Sequence, residues 1–97
     1  MVKPKLKRSP KWAYRRKKHL KTEPQCQWCN SETNLQVHHI VPVHINPALE
    51  LEDSNMITLC ETPNYNCHRR VGHFGNWQKF NPNVRKDCLE RQTKKLA

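Results

Sequence analysis

Residues 35–44 read LQVHHIVPVH, a stretch in which apolar and mostly β-branched residues surround two adjacent histidines. This composition is typical of a β-strand, and we predict a strand over residues 35–41 that stops at Pro42. Successive side chains of a strand point to opposite faces, so His38 and His39 cannot share one environment. The sequence therefore predicts two neighbouring imidazoles on the two sides of one strand.

The elements around this strand follow from local signals. We predict a second short strand over residues 56–59, MITL, which ends at Cys60. Good helix formers predict a helix in residues 12–21, and Glu23-Pro24 ends it because a residue before proline avoids the helical region. The strand with the two histidines thus follows a basic helix and precedes a second strand.

Helical signals return in the C-terminal third. Residues 67 to about 79 predict a helix that is interrupted or ended near Gly72 or Gly75. Asn81-Pro82 favours the start of a last helix, with Asn as its N-cap and Pro at its first position. The expected order is a basic helix, a cysteine knuckle, two strands, a helix and a closing helix.

The composition limits the classes of protein to which the chain can belong. Only 35% of its 97 residues are hydrophobic, and a domain this small and polar usually needs a metal or disulfides to stabilise it. The first residues are charged from Lys3 onward without an apolar signal segment, and no run approaches the roughly 20 apolar residues that span a bilayer. We therefore expect no membrane partner and a cytoplasmic protein, in which cysteine thiols serve as metal ligands rather than form disulfides.

The net charge of +10 lies in an N-terminal arm. Residues 1–22 contain ten Lys or Arg and no acid, whereas the other eight basic residues are matched by eight acidic ones. We therefore divide the chain into a basic, partly helical arm over residues 1–23 and a second domain over residues 24–97. Such an arm neutralises phosphates and gives salt-dependent affinity that is blind to sequence. A solubilising or targeting tail, or one that binds an acidic protein or a membrane surface, would suit the same charge.

Four cysteines form two pairs, Cys26-x2-Cys29 and Cys60-x6-Cys67. The first spacing is that of a zinc knuckle, and two pairs supply the four thiolates of a structural zinc site. The second pair is wider than usual, although the insert ETPNYN is rich in turn-forming residues and can loop back. Buried thiols without a ligand, or a site in which His68 replaces Cys67, remain alternatives. A closed four-thiolate site leaves no position for a substrate, so catalysis must come from other residues.

The order of motifs is specific to one family. Cys26-x2-Cys29, then VHHIVP, then LELEDSNMITLC, then CHRRVGH resembles the HNH endonucleases of the ββα-metal (His-Me finger) superfamily, over roughly residues 26–80. The stretch FGNWQKFNPNVRKD also resembles small bacterial and phage-borne HNH proteins. The resemblance implies a small α+β fold, with a ββα-metal core, the four-cysteine structural zinc site and flanking helices. It makes residues 24–97 a nuclease domain with a C-terminal helix.

The resemblance also implies roles for individual residues. His38 and His68 would be metal ligands, and His39 on the opposite face of the strand would be the general base that activates water. Asn55 would fix the loop between the strands, or approach the metal, so that His39 is correctly aimed. Taken alone, an adjacent pair of histidines is more often a packing or surface feature, and Asn55 a turn or cap residue.

His73 is a less certain ligand. It lies five residues after His68, about 500° around a regular α-helix, which would aim it away from the metal. Gly72 could allow the backbone to deform, and the family has related HxxxH patterns at this point. A third metal ligand, a phosphate contact and a surface position all remain open for His73.

The remaining candidates are polar or aromatic residues near these motifs. The basic residues that we expect to contact DNA are Arg15, Arg16, Lys17, Lys18, Arg69 and Arg70. We expect Trp77 and Phe80 to be core residues rather than base-stacking ones, and Cys88 to be a small core residue. We expect His19 and His44 to face DNA or to be incidental.

These observations predict a metal-dependent DNA endonuclease that acts in the cytoplasm of a bacterial or phage-infected cell. It would nick DNA as a monomer or weak dimer, and the resemblance implies that the products have 5′-phosphate and 3′-hydroxyl ends. Its cofactors would be a structural Zn²⁺ and one catalytic divalent metal, Mg²⁺, Mn²⁺, Ni²⁺ or Zn²⁺. The alternative is a non-catalytic zinc-stabilised DNA-binding module. Work as an accessory factor of a phage DNA-packaging machine, with phage packaging proteins as partners, is compatible with nuclease activity.

Overall fold

The computed structural model describes residues 8–96, so the first seven residues of the basic arm lie outside the described part. Within this range the chain forms two α-helices and two strands: α1 (Trp12–Thr22), β1 (Leu35–His39), β2 (Met56–Cys60) and α2 (Val84–Leu96). One turn of π-helix, His68–Gly72, lies between β2 and α2. The predicted α+β class is therefore confirmed. No helix in residues 8–96 combines the length and the apolar character needed to cross a membrane.

The two strands pair antiparallel and form the centre of the fold. His38 lies opposite Ile57, and His39 lies opposite Met56. All five residues of β2 are buried, because helices and loops cover both of its faces. A small cluster of buried residues packs around β2, and Cys88 belongs to it as predicted: Cys26, Ile57, Leu59, Cys60, Cys67, Val84 and Cys88.

β1 ends at His39, two residues earlier than predicted. The Ile40 N–H still donates to the carbonyl of Asn55 at 2.8 Å, but the Val41 N–H donates to the side-chain Oδ1 of Asn55, also at 2.8 Å. The asparagine side chain thus takes the place of a strand partner. The backbone therefore leaves the sheet directly after the two histidines.

The helix predicted over residues 67–79 ends at Gly72, one of the two places where we expected an interruption or an end, but it is not a regular α-helix. Only His68–Gly72 is helical there, and its turn is a π turn. Phe74 and Gly75 follow with positive φ angles of 53° and 79°, a conformation that ends a right-handed helix. The segment after Gly75 therefore runs as turns along the surface.

The last helix also begins later than predicted. Asn81 accepts a hydrogen bond from the Asn83 N–H at 3.0 Å through its side-chain Oδ1, so it caps a turn ahead of the helix. Regular helix starts at Val84. Asn81 has the predicted capping chemistry, but it acts one turn before α2.

Two predicted environments are wrong because the chain contacts itself differently from what we expected. Trp77 is 52% exposed rather than part of the core, since the segment that carries it lies on the surface. His19 does not face DNA: it is 3% exposed, and its two ring nitrogens lie 2.9 Å from Asp53 and 3.1 Å from Glu23.

Glu23 joins α1 to both β2 and α2. Its carboxylate accepts hydrogen bonds from the Thr58 N–H at 2.7 Å, from Arg85 at 2.6 Å and from His19. The Thr58 hydroxyl donates to the Glu23 carbonyl at 2.8 Å. Burial raises the pKa of Glu23, but the hydrogen bonds from His19, Arg85 and Thr58 outweigh it and lower the pKa to about 2. The end of α1 is thus held against the sheet by a carboxylate that stays ionised.

We predict that Glu23→Gln lowers the free energy of unfolding by about 2 kcal/mol at pH 7, because Arg85 and His19 lose their shared anion. The folded-state pKa is depressed, so this contribution is present above the unfolded-state value of 4.5 and is lost as the pH falls towards 2. Urea unfolding at pH 7 and fixed zinc concentration measures it, with the exposed acid Glu32→Gln as the control. Equal stability of the two variants would contradict this role.

Candidate metal centres and active site

Four cysteines converge on one point beside β2. Their sulfur atoms all lie within 4.8 Å of one another, and the residues are Cys26, Cys29, Cys60 and Cys67. The knuckle turns through Asn30, which has a φ angle of 66° and donates its N–H to the Cys26 carbonyl at 2.8 Å.

A turn also brings together the two cysteines of the more widely spaced pair, Cys60 and Cys67. The Asn66 N–H donates to the Thr62 carbonyl at 2.9 Å, and Asn66 has a φ angle of 35°. This turn brings Cys67 back to Cys60, so the insert loops back as expected. Asn30 and Asn66 both adopt the left-handed conformation that asparagine tolerates better than most residues.

The chemistry of the four sulfur atoms suits a metal ion. Three of the four cysteines are buried, and Cys29 Sγ lies 3.6 Å from Cys60 Sγ. Hydrogen bonding from the Cys67 thiol lowers the pKa of Cys26 to about 4, although burial opposes this, and the backbone N–H groups of Cys29 and Trp28 contribute. Four converging sulfur atoms, with backbone donors aimed at Cys26, are positioned to bind a tetrahedral metal.

Three histidines form a second cluster. The ring centroids lie 4.9 Å apart for His38 and His68, 4.7 Å apart for His38 and His73, and 5.0 Å apart for His68 and His73. One nitrogen from each ring lies within 4.8 Å of the others. His68 therefore belongs to this cluster and does not replace Cys67 in the cysteine site.

The π turn explains how His73 reaches the cluster. A π turn takes more residues per turn than an α-helix, so a residue five positions along returns close to the first one. The Cα of Gly72 also packs tightly here: a Cβ at this position would lie 3.1 Å from His38 Nε2 and Cε1. The absence of a side chain at Gly72 thus lets the turn rest directly on His38.

Hydrogen bonds fix the direction in which two of the rings point. His68 Nδ1 lies 2.8 Å from the Glu61 carboxylate, and His73 Nδ1 lies 2.6 Å from the Lys79 carbonyl. Both acceptors require an Nδ1–H, which leaves Nε2 of each ring with a free lone pair. This is the arrangement that metal-binding histidines normally have.

His38 carries the most informative atom of the cluster. Its side chain is 2% exposed, and its Nε2 is the one buried side-chain nitrogen or oxygen in the described residues without a hydrogen-bond partner. Burial, together with the neighbouring His68 and His73, lowers the pKa of His38 to about 3, so the ring is neutral at physiological pH. A neutral, buried and unpartnered imidazole nitrogen fits a metal ligand.

His39 lies on the other face of β1, as strand alternation predicts. Its Nε2 lies 2.8 Å from the Glu50 carbonyl, so Nε2–H donates and Nδ1 keeps its lone pair. Burial lowers the pKa of His39, while the hydrogen bond to Glu50 opposes this. The ring is thus unprotonated near neutral pH, as a general base must be.

Asn55 holds the loop that carries the Glu50 carbonyl. Besides accepting from the Val41 N–H, it donates through Nδ2 to the carbonyls of Val41 at 3.0 Å and Leu49 at 3.3 Å. The side chain is buried within the protein. Of the two predicted alternatives, this geometry fits loop fixation rather than approach to a metal.

One groove of about 720 Å³ is lined by the three clustered histidines, His38, His68 and His73, and by His39. Two tryptophans, Trp12 and Trp77, also line it, and the ring centroid of Trp77 lies 5.1 Å from that of His68 and 4.9 Å from that of His73. The basic or potentially basic side chains along the groove are Arg8, Arg16, His44 and Lys79.

A sequence profile of the HNH endonuclease family matches residues 26–74, which is half of the chain and contains both clusters. The chain belongs to the HNH endonuclease family. No curated protein and no solved structure gives a significant match. The family assignment thus rests on the profile match, and the geometry of the two clusters agrees with it.

The basic residues predicted to contact DNA are not brought together by this HNH fold. Arg16 lines the histidine groove, whereas Arg15 donates to the Leu51 carbonyl at 3.2 Å. Lys17 and Lys18 are exposed on another side of α1, where they border a shallow pocket. Arg69 and Arg70 are both exposed, and Arg70 borders a different cavity of about 680 Å³.

Sequence reasoning missed several residues that surround the histidines. Trp12 and the Glu50 carbonyl contact His39, and Glu61 bonds to His68. The contact of Glu61 could have been found from the sequence, because Glu61 follows Cys60 as His68 follows Cys67. A metal that brings the two cysteines together also brings Glu61 close to His68. Nothing in the spacing of Trp12 or Glu50 indicates their contact with His39, which depends on the tertiary fold.

We predict that the two clusters bind metal independently. Cys26→Ser should lose the one tightly bound zinc, because three thiolates and a hydroxyl form a poor structural site, whereas His38→Ala should retain it. Zinc content after dialysis against a weak chelator measures this, with Cys88→Ser as a control for loss of a buried thiol. Loss of the tight zinc in His38→Ala but not in Cys26→Ser would contradict the assignment.

Proposed function

We propose that this HNH protein is a metal-dependent DNA endonuclease that hydrolyses phosphodiester bonds and nicks its substrate. The observation that carries the proposal is the unpartnered, buried Nε2 of His38, which faces the free nitrogens of His68 and His73 beside His39. A module that only binds DNA has no use for a buried imidazole without a partner, which would cost stability. The competing function, a zinc-stabilised DNA-binding module, does not explain this atom.

The proposed roles follow from the free nitrogens. His38, His68 and His73 would hold one divalent cation, which would stabilise the negative charge that develops at the phosphate and the departing 3′ oxygen. His39 accepts the proton of the attacking water at Nδ1, because its Nε2–H is bonded to the Glu50 carbonyl. Asn55 keeps that carbonyl in place through the loop. The products are a 5′-phosphate and a 3′-hydroxyl, as the family resemblance implies.

The donor set also bears on the metal. Three imidazole nitrogens suit Ni²⁺ or Zn²⁺ better than Mg²⁺ or Mn²⁺, which prefer oxygen ligands. The four thiolates of the cysteine site suit a structural Zn²⁺, which stabilises the fold and does not take part in the reaction. We therefore propose a resident zinc and a separate, exchangeable transition metal.

The proposed DNA path crosses the histidine groove. Arg16 lines this groove and is our candidate for a phosphate contact near the reacting group, and the exposed Lys17, Lys18, Arg69 and Arg70 are candidates for contacts further along the DNA. Arg15 keeps its place as a DNA contact in the proposal, although its Nε is bonded to the protein backbone. We retain residues 1–23 as the arm that supplies affinity and residues 24–97 as the nuclease domain.

We predict that His39→Ala lowers the rate of supercoiled plasmid nicking by about 10² to 10⁴-fold, the usual range for loss of a general base. The reactions are run with Ni²⁺, Mn²⁺, Zn²⁺ and Mg²⁺, and the assay follows conversion of supercoiled to open-circular DNA. His44→Ala is the matched control, because this exposed histidine lines the same groove.

Binding of an uncut oligonucleotide should be the same for His39→Ala and the parent protein, since His39 acts on water. If His39→Ala nicks as fast as the parent, His39 is not the base. If the parent binds DNA but nicks with none of the four metals, the binding-module interpretation replaces the proposal.

A further inference from the structure

The imidazole of His39 lies against the indole of Trp12. The two ring centroids are 4.4 Å apart, with the ring planes tilted by 37°. The Glu50 carbonyl accepts a hydrogen bond from Nε2–H of the same imidazole. The ring thus has an aromatic face on one side and a fixed acceptor at its edge, while Nδ1 keeps its lone pair.

The residues just before α1 join these two contacts. The Glu50 carboxylate is 7% exposed and accepts hydrogen bonds from the Ser9 N–H at 3.0 and 3.1 Å and from Arg8 Nε at 2.9 Å. The Arg8 guanidinium also lies 4.8 Å from the centre of the Trp12 ring. Arg8, Trp12, His39 and Glu50 therefore form a closed ring of contacts that joins the N-terminal segment to the loop after β1.

We propose that Trp12 is a positioning residue of the reaction, which holds the His39 imidazole in a single orientation together with the Glu50 loop. The segment Arg8–Trp12 is then part of the active site as well as part of the basic arm. This inference rests on the proposed role of His39 as the base. It assigns no contact with the substrate to Trp12.

The physical reason is the rotational freedom of the imidazole. One hydrogen bond at Nε2 leaves the ring free to tilt about that bond, and an adjacent aromatic ring removes this freedom. Displacement of a catalytic group by about 1 Å costs roughly 10²-fold in rate, even where binding is unaffected. We therefore expect the aromatic ring packed against His39 to affect the reaction rate more than the free energy of unfolding.

The closing experiment compares substitutions at Trp12 with Tyr14→Ala, a change at an exposed aromatic on the same helix. Trp12→Ala should lower kcat by about tenfold to a hundredfold, with little change in KM for DNA or in zinc content. Trp12→Phe keeps an aromatic face and should restore kcat to within about threefold of the parent, whereas Trp12→Leu should not.

An independent readout comes from the NMR signals of the His39 ring in the zinc-loaded protein. The Trp12 ring current should displace them in the parent, less so in Trp12→Phe, and not in Trp12→Leu or Trp12→Ala. If Trp12→Ala does not fold, the comparison of Trp12→Phe with Trp12→Leu tests the positioning role instead.

Three outcomes overturn the inference. One is equal kcat for the Phe and Leu variants, another is a kcat for Trp12→Ala that matches Tyr14→Ala, and the third is a loss confined to KM, which would make Trp12 a DNA contact. If His39→Ala itself nicks like the parent, the proposed base and the positioning role fail together. If His39→Ala is inactive but Trp12→Ala is not, only the positioning role fails.

Discussion

The convergence of four cysteine sulfur atoms within 4.8 Å is the constraint on which the remaining structure depends. Cysteines supply four of the seven residues of the buried cluster beside β2, so a large part of this core is sulfur rather than hydrocarbon. Cys60 ends β2, and Cys67 directly precedes the π turn. The residues that directly follow these cysteines, Glu61 and His68, form a hydrogen bond of 2.8 Å between the carboxylate and Nδ1. The cysteine cluster thus determines where a histidine of the second cluster stands, and how its ring is turned. The cysteine cluster and the proposed reactive site thus share one short segment of chain.

The second cluster depends on close contact between backbone and ring. Gly72 brings the π turn onto His38, and the extra residue in that turn brings His73 round to join His68. His38 is left with a buried nitrogen that nothing in the described residues satisfies. On the other face of β1, His39 is held by groups that come from before α1 and from the loop after β1. One strand thus separates an imidazole that suits a metal from one that suits a proton.

Local rules predicted much of this arrangement. Strand alternation separated His38 from His39, because it depends only on adjacent residues. The short spacing within each cysteine pair indicated one four-sulfur site, although the two pairs lie far apart in sequence. The position of His73 in the cluster could not be predicted from a regular helix, since it depends on a π turn that lies directly against His38. The burial of His19, the exposure of Trp77 and the contact between Trp12 and His39 were also out of reach. Each of them depends on which distant segments meet, which hydrophobic periodicity does not specify in so polar a chain.

The central claim is that one small chain carries two metal centres with different ligands. Anomalous diffraction from crystals of the zinc-loaded protein soaked in Ni²⁺, recorded at the zinc and nickel edges, tests it most directly. The account predicts a zinc peak about 2.3 Å from the sulfur atoms of Cys26, Cys29, Cys60 and Cys67. It predicts a nickel peak in direct contact with Nε2 of His38, His68 and His73. A nickel ion bound elsewhere, such as at His19 or His44, with the three-histidine cluster empty, would contradict it.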